Sequence, residues 1–380
     1  MLKLHGNISG SRIGLPRPTL LTLTENTILP DRLKKGHALL SSVSRPKPSG
    51  FGAYLDRVDD SGNLANQFTL GQEFDYLAGG DIVRIDPRGK LACLYRRNAN
   101  YNTILLTEQC NHYCLMCSQP PKEVDDSWLL GQAMQLLEMI PRDTKILGFS
   151  GGEPTLYGDG LVDLLRKAKN YLPTTMLDVL TNGRAFKSIE YCEKMQQVGH
   201  DTLMFAIPLY SDDPVTHDYV VQSEGAYDEA IAGILNLKSC GQKVEIRIVI
   251  HKQTVDRLVS TCEFISRNLL FVDHVALMGL EITGFTRANL QQLWIDPHDY
   301  KDQLSQATEI LNRRGIPTSV YNHQLCVIND DVLENYKRSI SSWKNEYVAE
   351  CDSCLRRSEC GGFFSSSKMY RFSDHIQPFQ

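Results

Sequence analysis

No run in this 380-residue sequence approaches the ~18–20 consecutive apolar residues that cross a bilayer as a helix. The opening residues, Met1-Leu2-Lys3-Leu4-His5-Gly6, lack the ~7–15-residue apolar core of a secretory signal. A chain with no membrane contact and a cytoplasmic location is therefore expected. There is no low-complexity segment and no short internal repeat. Hydrophobic residues make up 42% and charged residues 22%, which excludes a disordered, collagen-like or coiled-coil chain. Positive charge is not in excess either. The net charge is −5, which counts against a nucleic-acid binder, because phosphate contacts dominate that affinity.

The charge is unevenly spread. Residues 1–50 carry eight Lys/Arg against two Asp/Glu, a net of +6, so the other 330 residues sum to −11. This basic segment is expected to contribute to docking of an anionic or peptide partner.

Cysteine is what the sequence has in number, and 11 is odd. Without a secretory signal a disulfide scaffold does not fit, and clustered thiols read as metal or redox sites. Cys110, Cys114 and Cys117 form one cluster; Cys326, Cys351, Cys354 and Cys360 form another. Cys93, Cys192, Cys240 and Cys262 stand alone and read as buried, inert thiols.

From about residue 100 to 280 a β-rich run alternates with an amphipathic helical stretch. The strands read as 103–107, 145–149, 176–180, 203–207, 244–250 and 272–278. The helices start near Ser127, a candidate N-cap, and continue with 161–171, 188–198, 227–239 and 256–267. Cys240-Gly241 reads as a helix exit. Such alternation implies parallel strands with right-handed crossovers, as an open sheet or incomplete barrel. The loops after the strands then converge on one rim. Residues 1–98 read as a small β-rich accessory domain, with short strands near 81–85 and 90–96 and a surface loop at 41–50. The core is expected over 99–296. A C-terminal module, 297–380, opens with a helix (297–313) and a strand (317–321).

The first cluster is C-x₃-C-x₂-C and follows directly on the first strand. Three thiolates can hold three irons of a cubane iron–sulfur cluster, leaving the fourth open to an exogenous ligand. Zinc is the rival; it wants a fourth Cys or His nearby, which His112 could supply, though its place inside the loop reads rather as a spacer. Phe149-Ser150-Gly151-Gly152-Glu153-Pro154 follows the second strand, and its glycines allow close backbone approach to a ligand.

Together these two motifs resemble the radical S-adenosylmethionine (SAM) superfamily. The resemblance implies a partial (β/α)6 barrel and a [4Fe–4S] cluster held by Cys110, Cys114 and Cys117, whose open iron binds SAM. SAM cleavage then yields a 5′-deoxyadenosyl radical that takes hydrogen from the substrate. It further implies that Gly151, Gly152 and Glu153 hold the SAM amine and that the Met116 backbone contacts adenine. Asn182 would reach SAM or substrate, Ser211 the ribose, Arg247 the carboxylate, and Met278 the adenine.

The C-terminal C-x₂-C-x₅-C core plus Cys326 resembles the auxiliary-cluster extension of peptide-modifying radical SAM enzymes. Four thiols imply one auxiliary [4Fe–4S] cluster, with structural zinc as the rival. From about residue 90 onward the chain resembles the His-Xaa-Ser system radical SAM maturase, C component. The phrases that carry this are 106–109, 180–184, 207–211, 321–326 and 360–364. The family implies a ribosomally made precursor peptide with His-Xaa-Ser repeats, a second radical SAM maturase and a small partner protein. An electron donor such as flavodoxin or ferredoxin is also implied. Tyr321 and His323, just before Cys326, are candidates for proton handling near the auxiliary cluster, with plain packing as the competing role. Two other functions compete: radical SAM modification of tRNA or a small molecule, and a non-catalytic iron–sulfur interaction or sensor module.

Overall fold

A computed structural model describes residues 3–10, 14–42, 46–58, 64–338 and 345–380. The first part is β-rich, as expected. Its strands are β1 (His5–Asn7), β2 (Ser9–Gly10), β3 (Thr19–Thr24), β4 (His37–Ser41), β5 (Ala53–Asp56), β6 (Gln67–Thr69), β7 (Ile82–Ile85) and β8 (Lys90–Tyr95). One short helix, α1 (Asp31–Lys34), joins β3 to β4. The sheet order is β1-β8-β7-β3-β4-β5-β6-β2. Its two outer strands, β1 and β2, are consecutive in the chain with only Ile8 between them. One bent segment thus pairs with both ends of the sheet and closes it into a barrel, which removes its free edges. Leu21, Leu23, Leu55, Phe68, Phe74, Val83, Ile85 and Leu91 are among the side chains that fill it.

The basic residues of 1–50 are partly consumed by this barrel. Lys47 forms a buried ion pair with Asp56, Lys3 pairs with Glu73, and Lys34 with Asp31. Arg12 and Arg45 lie outside the described residues, as do residues 43–45 of the expected 41–50 loop.

The second sheet is wholly parallel, in the order β15-β14-β13-β12-β11-β10-β9. These strands are β9 (Asn102–Thr107), β10 (Ile146–Gly151), β11 (Met176–Leu180), β12 (Leu203–Pro208), β13 (Lys243–Ile250), β14 (His274–Gly279) and β15 (Thr318–Tyr321). The crossovers carry α2 (Trp128–Met139), α3 (Asp159–Tyr171), α4 (Ile189–Val198), α5 (Pro214–Val221), α6 (Ala226–Ser239), α7 (Leu258–Asn268), α8 (Phe285–Ala288), α9 (Leu290–Leu293) and α10 (Lys301–Arg313). α11 (Ser365–Tyr370) follows the second cysteine cluster. Alternation with period two sorts the strands' side chains. Leu147, Phe149, Leu177, Val179, Phe205, Ile246, Ile248, Val275 and Leu277 face the helices and form the main core. The opposite parity carries Thr103, Asp178, Glu245, Arg247, His274, Ser319 and Tyr321, so the inner face is polar.

The α/β partial-barrel class holds, with one strand more than the six expected. β15 pairs in parallel with β14, so α10 and β15, assigned by sequence to a C-terminal module beginning at 297, extend the core layer. Ser127 stands at the N-cap position of α2 but makes no side-chain cap bond; the Asp125 carboxylate instead accepts the Ser127 N–H. Gly241 does end α6, with φ of 70° and its N–H on the Lys238 carbonyl. Helix α5 was not anticipated. Pro214-Val215-Thr216 is poor in helix formers, but Pro at N1 and an Asp213 carboxylate accepting the Thr216 N–H nucleate the turn. The four isolated cysteines are all buried.

Candidate metal centre and its cavity

At the C-terminal rim of the parallel sheet, Cys110, Cys114 and Cys117 line one cavity of about 440 Å³. Burial pushes the Cys110 thiol up to about 11 and raises Cys114 and Cys117 above the ordinary thiol range. As free thiols they hold their protons at neutral pH, so metal loading releases protons.

The cysteine loop is strutted from two sides. The N–H groups of Tyr113 and Leu115 donate to the carbonyls of Val221 and Val220 at the end of α5, at 3.1 and 2.9 Å. From α8 the Thr286 hydroxyl donates to the Met116 carbonyl (3.1 Å), and from the junction of α8 and α9 the Asn289 amide donates to the Leu115 carbonyl (2.8 Å). Leu115 and Met116 pack against Tyr210, Val220, Val221 and Leu293. Behind the loop, Asp126 accepts from the Thr107 hydroxyl and the Glu108 N–H, which holds the end of β9.

The two glycines after β10 serve the same loop. A Cβ on Gly151 would lie 2.2 Å from the Thr107 carbonyl oxygen, and one on Gly152 would lie 2.0 Å from that of Gln109. In return, the Gly152 and Glu153 N–H groups donate to those two carbonyls. Glu153 is fully buried and outside the cavity wall. Its carboxylate accepts from the Thr155 N–H and hydroxyl, the Thr181 hydroxyl and the Asn182 N–H. It joins the β10 loop to the β11 loop rather than facing a ligand.

The other sequence-predicted positions divide. Met116, Gly151, Gly152, Asn182, Arg247 and Met278 line the cavity with the thiols. The Met116 carbonyl, however, is already bonded by Thr286. Asn182 donates to the Asn111 side chain. Arg247 lies 3.5 Å from Glu245 and donates to the Met278 sulfur at 3.2 Å. Ser211 is not brought to the cavity: it is fully buried and accepts the Asp213 N–H. The inward parity of β12 runs Met204, Ala206, Pro208, Tyr210, so Tyr210 takes the wall position instead. Strand alternation was the signal for it.

His323 is fully buried with both ring nitrogens engaged, one with the Tyr300 hydroxyl (2.9 Å) and one with the Tyr321 carbonyl (2.7 Å). Burial lowers it to about 4. Tyr321 points into the polar barrel floor beside Ser319, Glu245, Arg247 and Asp178. Neither residue lines the cavity that holds Cys326, so their expected role beside that thiol is not supported by their placement. In the floor, His274 bridges Glu245 (2.7 Å) and Ser319 (2.9 Å), and burial raises Asp178 to about 6.

Cys326, Cys351, Cys354 and Cys360 line a second cavity, closed on one side by Ile376, Gln377, Pro378 and Phe379. The Gly362 N–H donates to the Cys360 sulfur (3.3 Å), and burial raises the Cys326 and Cys351 thiols. Among the described residues, the one set of three His, Cys, Asp or Glu ligand atoms mutually within 4.8 Å is His298, Asp299 and His375. No helix among the described residues is long and apolar enough to cross a membrane.

Residues 104–265 match the family model described as the Radical SAM superfamily. Over 180 residues the chain is 29% identical to the pre-heme d1 synthase of Dinoroseobacter shibae, covering 46% of this chain and 43% of that one. Over 222 residues it is 27% identical to the Fe-coproporphyrin III synthase of Methanosarcina barkeri, covering 57% and 53%. The chain thus spans about half the length of these curated relatives. The crystal structure of Streptococcus suis SuiB bound to S-adenosylmethionine aligns over 57% of this chain and 49% of that chain, with 17% identity and a TM-score of 0.47.

Proposed function

Because the core of this chain, residues 104–265, belongs to the radical SAM superfamily, we propose that it is a maturase acting on a ribosomally made peptide at His-Xaa-Ser repeats, by cross-linking or oxidation. Cys110, Cys114 and Cys117 would hold the [4Fe–4S] cluster. Bound there, cluster and SAM supply a carbon radical able to abstract hydrogen. The protein's own part is positional. Thr286, Asn289 and the α5 carbonyls hold the thiol loop, Glu153 ties the next two rim loops together, and Arg247 offers a guanidinium to a carboxylate. Removal of hydrogen from a peptide carbon, with loss of a further electron and a proton, leaves an oxidised or cross-linked residue. We assign the four-thiol cavity to an auxiliary [4Fe–4S] cluster able to take that electron.

The observation that carries this reading is the pair of thiol cavities, one with three sulfurs and one with four, on a chain resembling the His-Xaa-Ser maturases. The similarity of the C-x₂-C-x₅-C core plus Cys326 to auxiliary-cluster extensions supports a cluster over one zinc ion. A second maturase, a small partner protein and an electron donor belong to the same proposal. A second reading, a tetrapyrrole substrate, is favoured by the similarity to the two haem-pathway synthases. The test is anaerobic incubation with SAM, reductant and either a His-Xaa-Ser peptide with its partners or coproporphyrin. Formation of 5′-deoxyadenosine together with peptide mass loss supports the maturase. Tight binding of coproporphyrin III, whose iron complex is the product for which the second relative is named, with an unchanged peptide supports the second reading.

A further inference from the structure

A groove between the sheet rim and residues 361–373 shares walls with both thiol cavities. Gly279, Leu280, Asn322 and Phe364 border both the groove and the three-thiol cavity, and Gln324 borders both the groove and the four-thiol cavity. Through these shared walls the groove adjoins both cavities. Trp294, Phe363, Phe364 and Phe372 supply aromatic rings to a wall that is otherwise mixed polar and apolar.

One cation stands on this wall. The Arg371 guanidinium lies 3.8 Å over the Trp294 ring, and nearby Arg287 lies 5.1 Å over Tyr370. Both arginines are exposed, and neither has a carboxylate partner among the described residues. Arg84 over Trp128 and Arg96 over Tyr76 are likewise stacked without an ion pair, so what sets Arg371 apart is its place on the groove wall. Stacking on an aromatic face fixes the plane of a guanidinium and leaves its edge N–H groups free, a preorganised fork for a carboxylate. On a chain of net charge −5, an unpaired fork beside an aromatic groove selects a ligand of opposite charge.

We propose that this groove takes the substrate as an extended peptide and that Arg371, held on Trp294, binds a carboxylate side chain of that peptide. The reacting residue is thereby set at the three-thiol cavity. This rests on the peptide reading given above. The probe is a fluorescein-labelled synthetic peptide of His-Xaa-Ser repeats, with one glutamate stepped along its flank and a glutamine counterpart for each. Binding to the anaerobically reconstituted holoenzyme is read by anisotropy. At the matching position, the glutamate peptide binds about tenfold more tightly than its glutamine counterpart, the worth of one charge-assisted bond. Arg371→Gln removes that preference, and Arg371→Lys, which keeps charge but not the fork, retains part of it; iron content checks that each variant is intact. Equal binding of the two peptides to the wild-type holoenzyme overturns the carboxylate site alone, without recourse to any variant. A preference that survives in Arg371→Gln also overturns it. Failure of both peptides to bind overturns it together with the peptide reading. Arg371-dependent binding of coproporphyrin III, with neither peptide bound, gives the site to a tetrapyrrole and overturns the proposal.

Discussion

Single residues at the rim act mainly on one another's backbones. Gly152 illustrates this: a methyl group there meets the Gln109 carbonyl at 2.0 Å and the Cys110 Cβ at 3.0 Å. Gly152→Ala is expected to push the thiol loop off its seat, lowering iron per chain several-fold after reconstitution while far-UV circular dichroism stays unchanged. Full iron loading in that variant would refute the account. Asp178 is a second case. Burial and then the Glu245 charge raise it from 3.8 to about 6, against the pull of Arg247, with Tyr101 and His274 also facing it. The folded state therefore keeps a proton that the unfolded chain has lost, so this group's contribution to stability falls as pH rises from about 4 to about 6. The free energy of unfolding of the wild type minus that of Asp178→Asn should decline across that window, by ~3 kcal/mol in total, and be flat above it. A difference that stays level or rises through the window would show the opposite sign.

At the level of elements, short segments rather than the long helices hold the metal loop. α5 presents two carbonyls, α8 a hydroxyl, and the junction of α8 and α9 an amide. Thr286→Val or Asn289→Ala leaves a loop carbonyl without its donor, at a cost of about 1–3 kcal/mol each if it stays buried. Hydrogen exchange at residues 113–117 should accelerate in both variants while the amides of β9–β13 keep their protection. Unchanged exchange in the loop would mean that the α5 contacts alone suffice. These struts were not legible beforehand. Thr286 and Asn289 are 170 and 174 residues from the carbonyls they bind, and four-residue helices leave almost no periodic trace.

Over the whole molecule, two thiol sites and a barrel share one chain. Protein purified without oxygen should carry about eight irons with matching sulfide, and Cys351→Ala/Cys354→Ala about four, with cleavage of SAM retained. About four irons and one zinc in the wild type would instead make the C-terminal site structural. The N-terminal barrel bears on the core through Arg97–Asp143, the Tyr95–Thr144 hydroxyl pair and Arg84 over Trp128. Residues 1–50 supply four of its eight strands. Their deletion is expected to open the barrel and yield insoluble protein. Soluble, monomeric 51–380 with native near-UV signal would show that the barrel tolerates the loss.

Composition and order along the chain already contained the parallel α/β core, the rim on which its loops gather, both cysteine sets and the glycines beside them. Those features are local: strand alternation, helical spacing and C-x₃-C-x₂-C are written within a few residues of one another. The closure of the first sheet by a bent β1–β2 segment and the pairing of β15 as a seventh parallel strand came from the folded chain. So did the inward ties of Glu153 and His323. These depend on which distant backbone or side chain satisfies a buried or edge polar group, and such a hydrogen bond is made wherever the packing brings donor to acceptor. Arg371 shows the same division. Nothing near it in sequence marks it out, and its unpaired guanidinium acquires meaning only against Trp294 and the groove between the two thiol cavities.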